Sequence, residues 1–291
     1  MSEYVLFTDS NTDLPADLVQ QLDLSVIPML FEMDGKSYYN YPDNHEMDPK
    51  EFYAALRGGK VCTTSQVSPS RFDEIFSPVL ESGRDILYLC FSSGLSGTYN
   101  TSRLAVEELR EKFPDRKIRT VDTLAASMGQ GLLVYLAAKK RQEGMGLDEL
   151  GDWVEENRLK LCHWFTVDDL MFLKRGGRVS GAAAVMGTML GIKPVLHVDD
   201  EGHLILMEKV RGRRASLDAL VKHMQATAIR PAEQTVFISH GDCQADCDYV
   251  AQQLREKLGV KEIVTSYIGP VIGAHSGPGT VALFFVGEKR W

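Results

Sequence analysis

Three segments of this chain repeat one pattern: a short apolar run, a loop rich in hydroxyls, then a helix start. YVLFTD (4–9) leads through SNTD into PADLVQQL (15–22), which carries proline in its first turn. DILYLCF (85–91) leads through SSGLSGT (92–98) into a helical stretch over 97–113. KIRTVDT (117–123) leads through LAAS into helical segments that reach about residue 160. LSVIPML (24–30) reads as a further strand, and DPKEFYAALRGG (48–59) as a helix with both ends marked. SPSRFDEIFSPVLESG (68–83) is helical, with Phe72, Ile75, Phe76 and Val79 at i, i+3, i+4 and i+7. This alternation predicts an α/β fold with a mainly parallel sheet between two layers of helices. Ligands of such sheets bind beyond the carboxyl ends of the strands. The loops 8–13, 92–98 and 121–127 therefore form the predicted binding edge.

The rhythm changes after residue 160. KPVLHV (193–198) and HLILMEKV (203–210) flank DDEG and read as an antiparallel hairpin. Strands at 235–240, 262–268 and 280–286 and helices at 214–227 and 242–259 complete an α+β pattern. A length of 291 residues suits two ordinary domains, expected at 1–160 and 161–291 with a cleft between them.

The loop SSGLSGT lacks the G-x-x-x-x-G-K-[ST] of a phosphate loop. The order Gly94-Leu95-Ser96-Gly97 also fails the G-x-S-x-G of a nucleophile elbow. What remains is a helix N-terminus with free N–H groups, the hydroxyls of Ser92, Ser93 and Ser96, and glycines such as Gly94 that let a ligand approach the backbone. Helix capping needs only one of those serines, so an anion site is the fuller reading. CTTSQVSPS (62–70) is a second hydroxyl-rich helix entry, with Thr63, Thr64, Ser65 and Gln66 ahead of Pro69. In YIGPVIGAHSGPGTVALFF (267–285), His275 sits in a glycine-rich loop just before a strand.

Basic residues gather in LKRGGRVSG (173–181) and KVRGRR (209–214), contributing Lys174, Arg175, Arg178, Lys209, Arg211, Arg213 and Arg214. Either a solvated face or a site for a charged partner accounts for them. SGAAAVMGTMLGI (180–192) lies between; it reads as core packing or as a soft apolar wall for a long ligand.

Other classes are set aside by composition. The net charge of −8 argues against a general nucleic-acid binder. MSEYVLFTDSNTD has no signal-peptide pattern, and GLLVYLAA (131–138) is too short to span a bilayer, so no transmembrane segment is expected. Five cysteines in a chain this long form no disulfide framework. Cys62, Cys90 and Cys162 read as small buried hydrophobes, and a reducing cytoplasmic location fits. His240, Cys243 and Cys247 stand as H-x2-C-x3-C, yet no second cluster with zinc spacing accompanies them, so no metal is expected.

Together, TDSNTDLP (8–15), TSQVSPSRF (64–72), SSGLSGTY (92–99), LKRGGRVS (173–180), KVRGRRAS (209–216) and GPVIGAHSGPG (269–279) resemble the DegV family of fatty-acid-binding proteins, in order and over nearly the whole chain. The resemblance implies a non-catalytic carrier with one long-chain fatty acid, such as palmitate, between two domains, and no other cofactor. It implies a carboxylate held at Thr64, Ser65, Ser93, Gly94, Ser96 and His275, with either Ser93 or Ser96 supplying the serine contact. Some members present the carboxyl group to a separate fatty acid kinase, and Arg175 and Arg211 match arginines that would face it. Where the family often has proline directly after TSQ, Val67 and Ser68 precede Pro69 here. The alternative is a phosphotransfer subunit akin to dihydroxyacetone kinases, holding a small ketone through His240 or His275; a lipid-sensing regulator is a third reading.

Overall fold

The computed structural model describes residues 3–179 and 191–291. The stretch 180–190, which holds most of the proposed apolar wall, lies outside the described residues.

The first sheet is parallel throughout, in the order β2 (Ser25–Ile27), β1 (Tyr4–Asp9), β6 (Asp85–Cys90), β7 (Ile118–Asp122). All of β6 is buried, as a central strand covered on both faces must be. Its side chains alternate between two cores. Leu87 and Leu89 face α5 (Met128–Gln142) and α6 (Leu147–Asn157), whereas Ile86, Tyr88 and Cys90 face α3 (Pro69–Glu81) and α4 (Thr98–Lys112). The predicted three-layer α/β arrangement follows from that two-residue period.

The second sheet is mixed. Its order is β10 (Leu204–Arg211), β9 (Ile192–Val198), β8 (Leu161–Thr166), β13 (Val281–Val286), β11 (Thr235–His240), β12 (Glu262–Tyr267). Only β11 and β12 run parallel; the predicted hairpin is the β9–β10 pair. Helices α8 (Arg213–Thr227) and α9 (Gln244–Leu258) cover one face. The other face packs on α5, so this helix is sandwiched between the two sheets. Its apolar residues consequently run round its circumference, as in any helix buried on all sides. Gly129 permits the closest approach: a methyl group there would overlap the His163 ring and lie 2.8 Å from Phe284 Cδ1.

Two expectations need correction. LSVIPML is not one strand. Pro28, which has no N–H to give a ladder, separates β2 from β3 (Met29–Met33). β3 then joins an antiparallel sheet of order β4 (Lys36–Asn40), β3, β5 (Cys62–Thr64) that periodicity did not reveal. The β3–β4 turn is Asp34-Gly35, both at positive φ, the geometry that the dipeptide Asp-Gly favours in tight hairpins. On β5, Cys62 is half-buried rather than a core residue, while Cys90 and Cys162 are fully enclosed.

Candidate functional site

The loops after β1, β6 and β7 meet at the carboxyl edge of the first sheet, and buried carboxylates organise them. Asp9 accepts hydrogen bonds from the Tyr88 hydroxyl at 2.9 Å and the Phe91 amide at 3.0 Å. Asp122 accepts from the Ser93 amide at 3.2 Å and the Leu124 amide at 3.0 Å. Asp13 accepts from the Ser127 hydroxyl at 2.6 Å and from the Gly269 amide at 2.9 Å, which ties the β1 loop to the start of α10 (Pro270–Ser276). Burial pushes the Asp13 carboxyl up to about 7.

These loops, with Met29 and Thr64 of the small antiparallel sheet and strands of the second sheet, wall a cavity of about 290 Å³. Met29, Phe91, Leu95, Phe165, Ile268 and Phe284 give it a largely apolar interior. Its polar end gathers Thr64, Ser65, Gln66, Ser96, Arg178 and His275. Thr64 stands at the end of β5, and its Oγ1 lies 2.7 Å from His275 Nε2. Burial first, and the Arg178 charge second, push the His275 imidazole down to about 4, so it is neutral at neutral pH. The other ring nitrogen, Nδ1, faces Gly176, where any side chain would collide with it.

Ser92, Ser93, Gly94 and Ser96 of the SSGLS turn have separate fates. Ser92 is buried, and its hydroxyl donates to the Gly202 carbonyl at 2.9 Å. Ser93 is exposed, and neither it nor Gly94 lines the cavity. Gly94 packs on the β9–β10 turn, where a Cβ would come within 2.8 Å of the Glu201 carbonyl oxygen. Ser96 does line the cavity; its hydroxyl accepts from the Thr98 amide at 3.2 Å and lies 3.0 Å from the Thr98 hydroxyl. Ser96 precedes the N-cap residue Gly97, so its bond to the Thr98 amide is a local turn contact at the start of α4.

His275 does not sit in a loop, contrary to the sequence expectation. It occupies the last turn of α10, which begins at Pro270 and so holds the ring in a defined orientation. Among the basic residues, Arg178 rather than Arg175 enters the cavity wall. The chain leaves α7 (Met171–Arg175), reverses at Gly177, where φ is +72°, and turns Arg178 inward. Arg178 Nε donates to the Leu95 carbonyl at 3.2 Å, and Nη1 donates to the Gly176 carbonyl. Burial holds its guanidinium below the usual arginine range. The signal was the Gly-Gly pair immediately before it, a chain-reversal mark that spacing alone did not connect to the hydroxyl clusters.

Arg175 and Arg211 are exposed, and the Arg175 guanidinium rests 4.5 Å from the Phe172 ring centroid. Arg213 is taken up by Asp246 and the Gly279 carbonyl, and Arg214 lies over the Tyr249 ring. His240 is buried outside the cavity; its Nδ1 accepts from the Cys243 amide at 3.3 Å, and its ring packs on Tyr267. Cys243 and Cys247 bracket the first turn of α9, with Cys247 enclosed in the core.

A family model described as uncharacterised protein, DegV family, matches residues 4–288. A DegV domain-containing protein of Clostridium perfringens is 49% identical over 290 residues, covering 100% of this chain and 99% of the relative. Among solved structures, a DegV family protein from Thermus thermophilus described by its fatty acid binding superposes with a TM-score of 0.86 at 32% identity, covering 99% of this chain and 100% of the other. A DegV lipid-binding protein from Thermotoga maritima superposes with a TM-score of 0.85 at 30% identity, with the same coverage of 99% and 100%.

Proposed function

We infer that this chain, which belongs to the DegV family, binds one long-chain fatty acid in the cavity between its two sheets. The observation that carries the reading is a largely apolar cavity whose polar lining includes the hydrogen-bonded Thr64–His275 pair. A carboxylate taken out of water needs hydrogen-bond donors of its own. A neutral His275 that donates from Nε2 to Thr64 Oγ1 leaves the Thr64 hydroxyl proton free for a carboxylate oxygen. Ser96 and the Arg178 guanidinium stand at the same end. The tail contributes about 0.8 kcal/mol for each methylene buried along the apolar wall.

The finer proposal is a non-catalytic carrier formed of residues 1–160 and 161–291. In it the carboxyl group is offered to a separate fatty acid kinase, with Arg175 and Arg211 on the exposed surface toward that partner. Hydroxyl donors suit this role because they hold an oxygen without tying it into a full ion pair.

The test is organic extraction and native mass spectrometry of the protein purified from a bacterial host. A fatty acid at one per chain is expected. A protein that emerges empty and also refuses added palmitate overturns the reading. Retention of purified kinase subunit on the immobilised chain, lost in the Arg175→Ala/Arg211→Ala variant, checks the carrier role.

A further inference from the structure

The apolar interior of the cavity contains one side chain for which a plain fatty acid has no use. Asn11 lines that interior and is 1% exposed, yet neither its amide nitrogen nor its amide oxygen has a hydrogen-bond partner among the described residues. A buried donor or acceptor left unmade costs about 1–3 kcal/mol. Ser276 and His163 also line the cavity with one unpartnered atom each. Ser276 adjoins His275 at the polar end, and His163 turns Nε2 toward Gly129. Asn11 differs because both its donor and its acceptor are unpaired.

Its neighbours fix where Asn11 stands. Its backbone amide and that of Phe91 donate to the two oxygens of Asp9, at 3.2 Å and 3.0 Å. The preceding Ser10 hydroxyl accepts from the Met29 amide at 3.0 Å. Phe91 and Met29 are themselves walls of the apolar interior. Two residues on, Asp13 holds the start of α10 through Gly269, whereas His275 near the other end of this helix meets Thr64. Seven helical residues span about 10 Å, so Asn11 stands about that far from the carboxylate donors, midway along a long acyl chain.

A group that suits a neutral amide must both give and take a hydrogen bond. A second carboxylate only accepts, which leaves Asn11 Oδ1 unpaired. An ammonium only donates, which leaves Asn11 Nδ2 unpaired. A hydroxyl accepts from Nδ2 and donates to Oδ1, and it carries no charge out of water. Resting on the fatty-acid reading, we propose that Asn11 is a subsite for a hydroxyl group midway along the acyl chain, so that the ligand class includes mid-chain hydroxy fatty acids.

The test is displacement of a fluorescent fatty acid from the full chain by stearate and by hydroxystearates with the hydroxyl on the tenth or the last carbon. The tenth-carbon isomer is expected to bind at least as tightly as stearate and about tenfold more tightly than the last-carbon isomer. The Asn11→Leu variant is expected to weaken the tenth-carbon isomer about tenfold or more while holding stearate within about twofold. Retained stearate binding reports that the variant is folded; Asn11→Ala, which adds no bulk, should give the same split where leucine disturbs the fold. Tighter binding of stearate than of the tenth-carbon isomer, or a variant that weakens both ligands equally or neither, overturns the subsite. Equal binding of the two hydroxylated isomers overturns its mid-chain position. Failure of stearate itself to bind the unaltered chain overturns the fatty-acid reading, whereas a failure confined to the hydroxylated chains sinks only the subsite.

Discussion

The Thr64 hydroxyl and the His275 imidazole are 211 positions apart in the chain and 2.7 Å apart in space. Thr64 arrives on the small antiparallel sheet, and His275 arrives on a seven-residue helix that packs on β3 and β5 of that sheet. Both residues line the cavity, at its hydroxyl-rich side with Ser65 and Ser96.

Replacing Thr64 with alanine removes the donor proposed for the carboxylate. Fatty-acid affinity is expected to fall about tenfold or more, the size of a hydrogen bond to a charged group. The melting temperature should change little, because Thr64 is only half-buried at a strand end. Titration with a fluorescent fatty acid alongside circular dichroism separates the two effects.

The two serines are separable by the same titration. Ser96→Ala should weaken binding several-fold, since Ser96 lines the cavity, whereas Ser93→Ala should stay within about twofold. The reverse result would move the carboxylate to the outer face of the turn.

Affinity should rise with chain length. Each added methylene contributes about 0.8 kcal/mol, or roughly a fourfold lower Kd, until the apolar interior is full. Calorimetry over a series of saturated acids from decanoate upward reads the slope and its plateau; a flat series would argue that the tail lies outside the cavity.

Stability should depend on pH from two opposed sources. His275 is held neutral by burial, with its folded value depressed to about 4. The unfolded chain therefore binds the extra proton first, and stability is lost as pH falls from about 6.5 toward 4. His275→Gln should shrink the loss between pH 6.5 and 4.5 by on the order of 2 kcal/mol. Asp13 is raised to about 7, so the folded state keeps a proton that the unfolded chain has released. Its contribution is present in acid and fades as pH rises through 7. Asp13→Asn can keep both partners, Ser127 and Gly269, and should remove about 1 kcal/mol of the stability lost between pH 6 and 8. Urea unfolding at each pH measures both.

Gly129→Ala should destabilise the fold by roughly 1–3 kcal/mol, the usual cost of forcing a methyl group into a packed core. The new group would meet His163 and Phe284 of the second sheet. A lower urea midpoint with an unchanged denaturant slope is the expected result; a neutral effect would mean that α5 can slide between the sheets.

Much of this architecture was legible in local pattern. The strands of both sheets, the hairpin and the long helices follow from period-2 and period-3.6 runs and their flanking Ser, Pro and Gly residues. The small antiparallel sheet was not, because its strands have three to five residues and one of them adjoins Pro28. Its Asp34-Gly35 turn was a usable mark that the helix-and-strand rhythm obscured. His275 was misread for a related reason: glycine lowers helix propensity, yet Pro270 and tertiary packing hold seven residues of GPVIGAHS in a helix.

The chain order by itself determined the α/β alternation, the carboxyl-edge loops and the set of hydroxyl, histidine and arginine motifs from which a pocket could be drawn. Each of those is written in residues that are neighbours in sequence, where backbone preference and side-chain period act. Only the tertiary structure decided that Ser96 rather than Ser93 faces the cavity, that Arg178 rather than Arg175 enters its wall, and that Asp13 joins Ser127 to Gly269. Those outcomes depend on which way a side chain points after a turn closes and on contacts between segments more than one hundred positions apart. Local propensity carries no information about either, because the energy that selects them comes from packing two sheets against one buried helix.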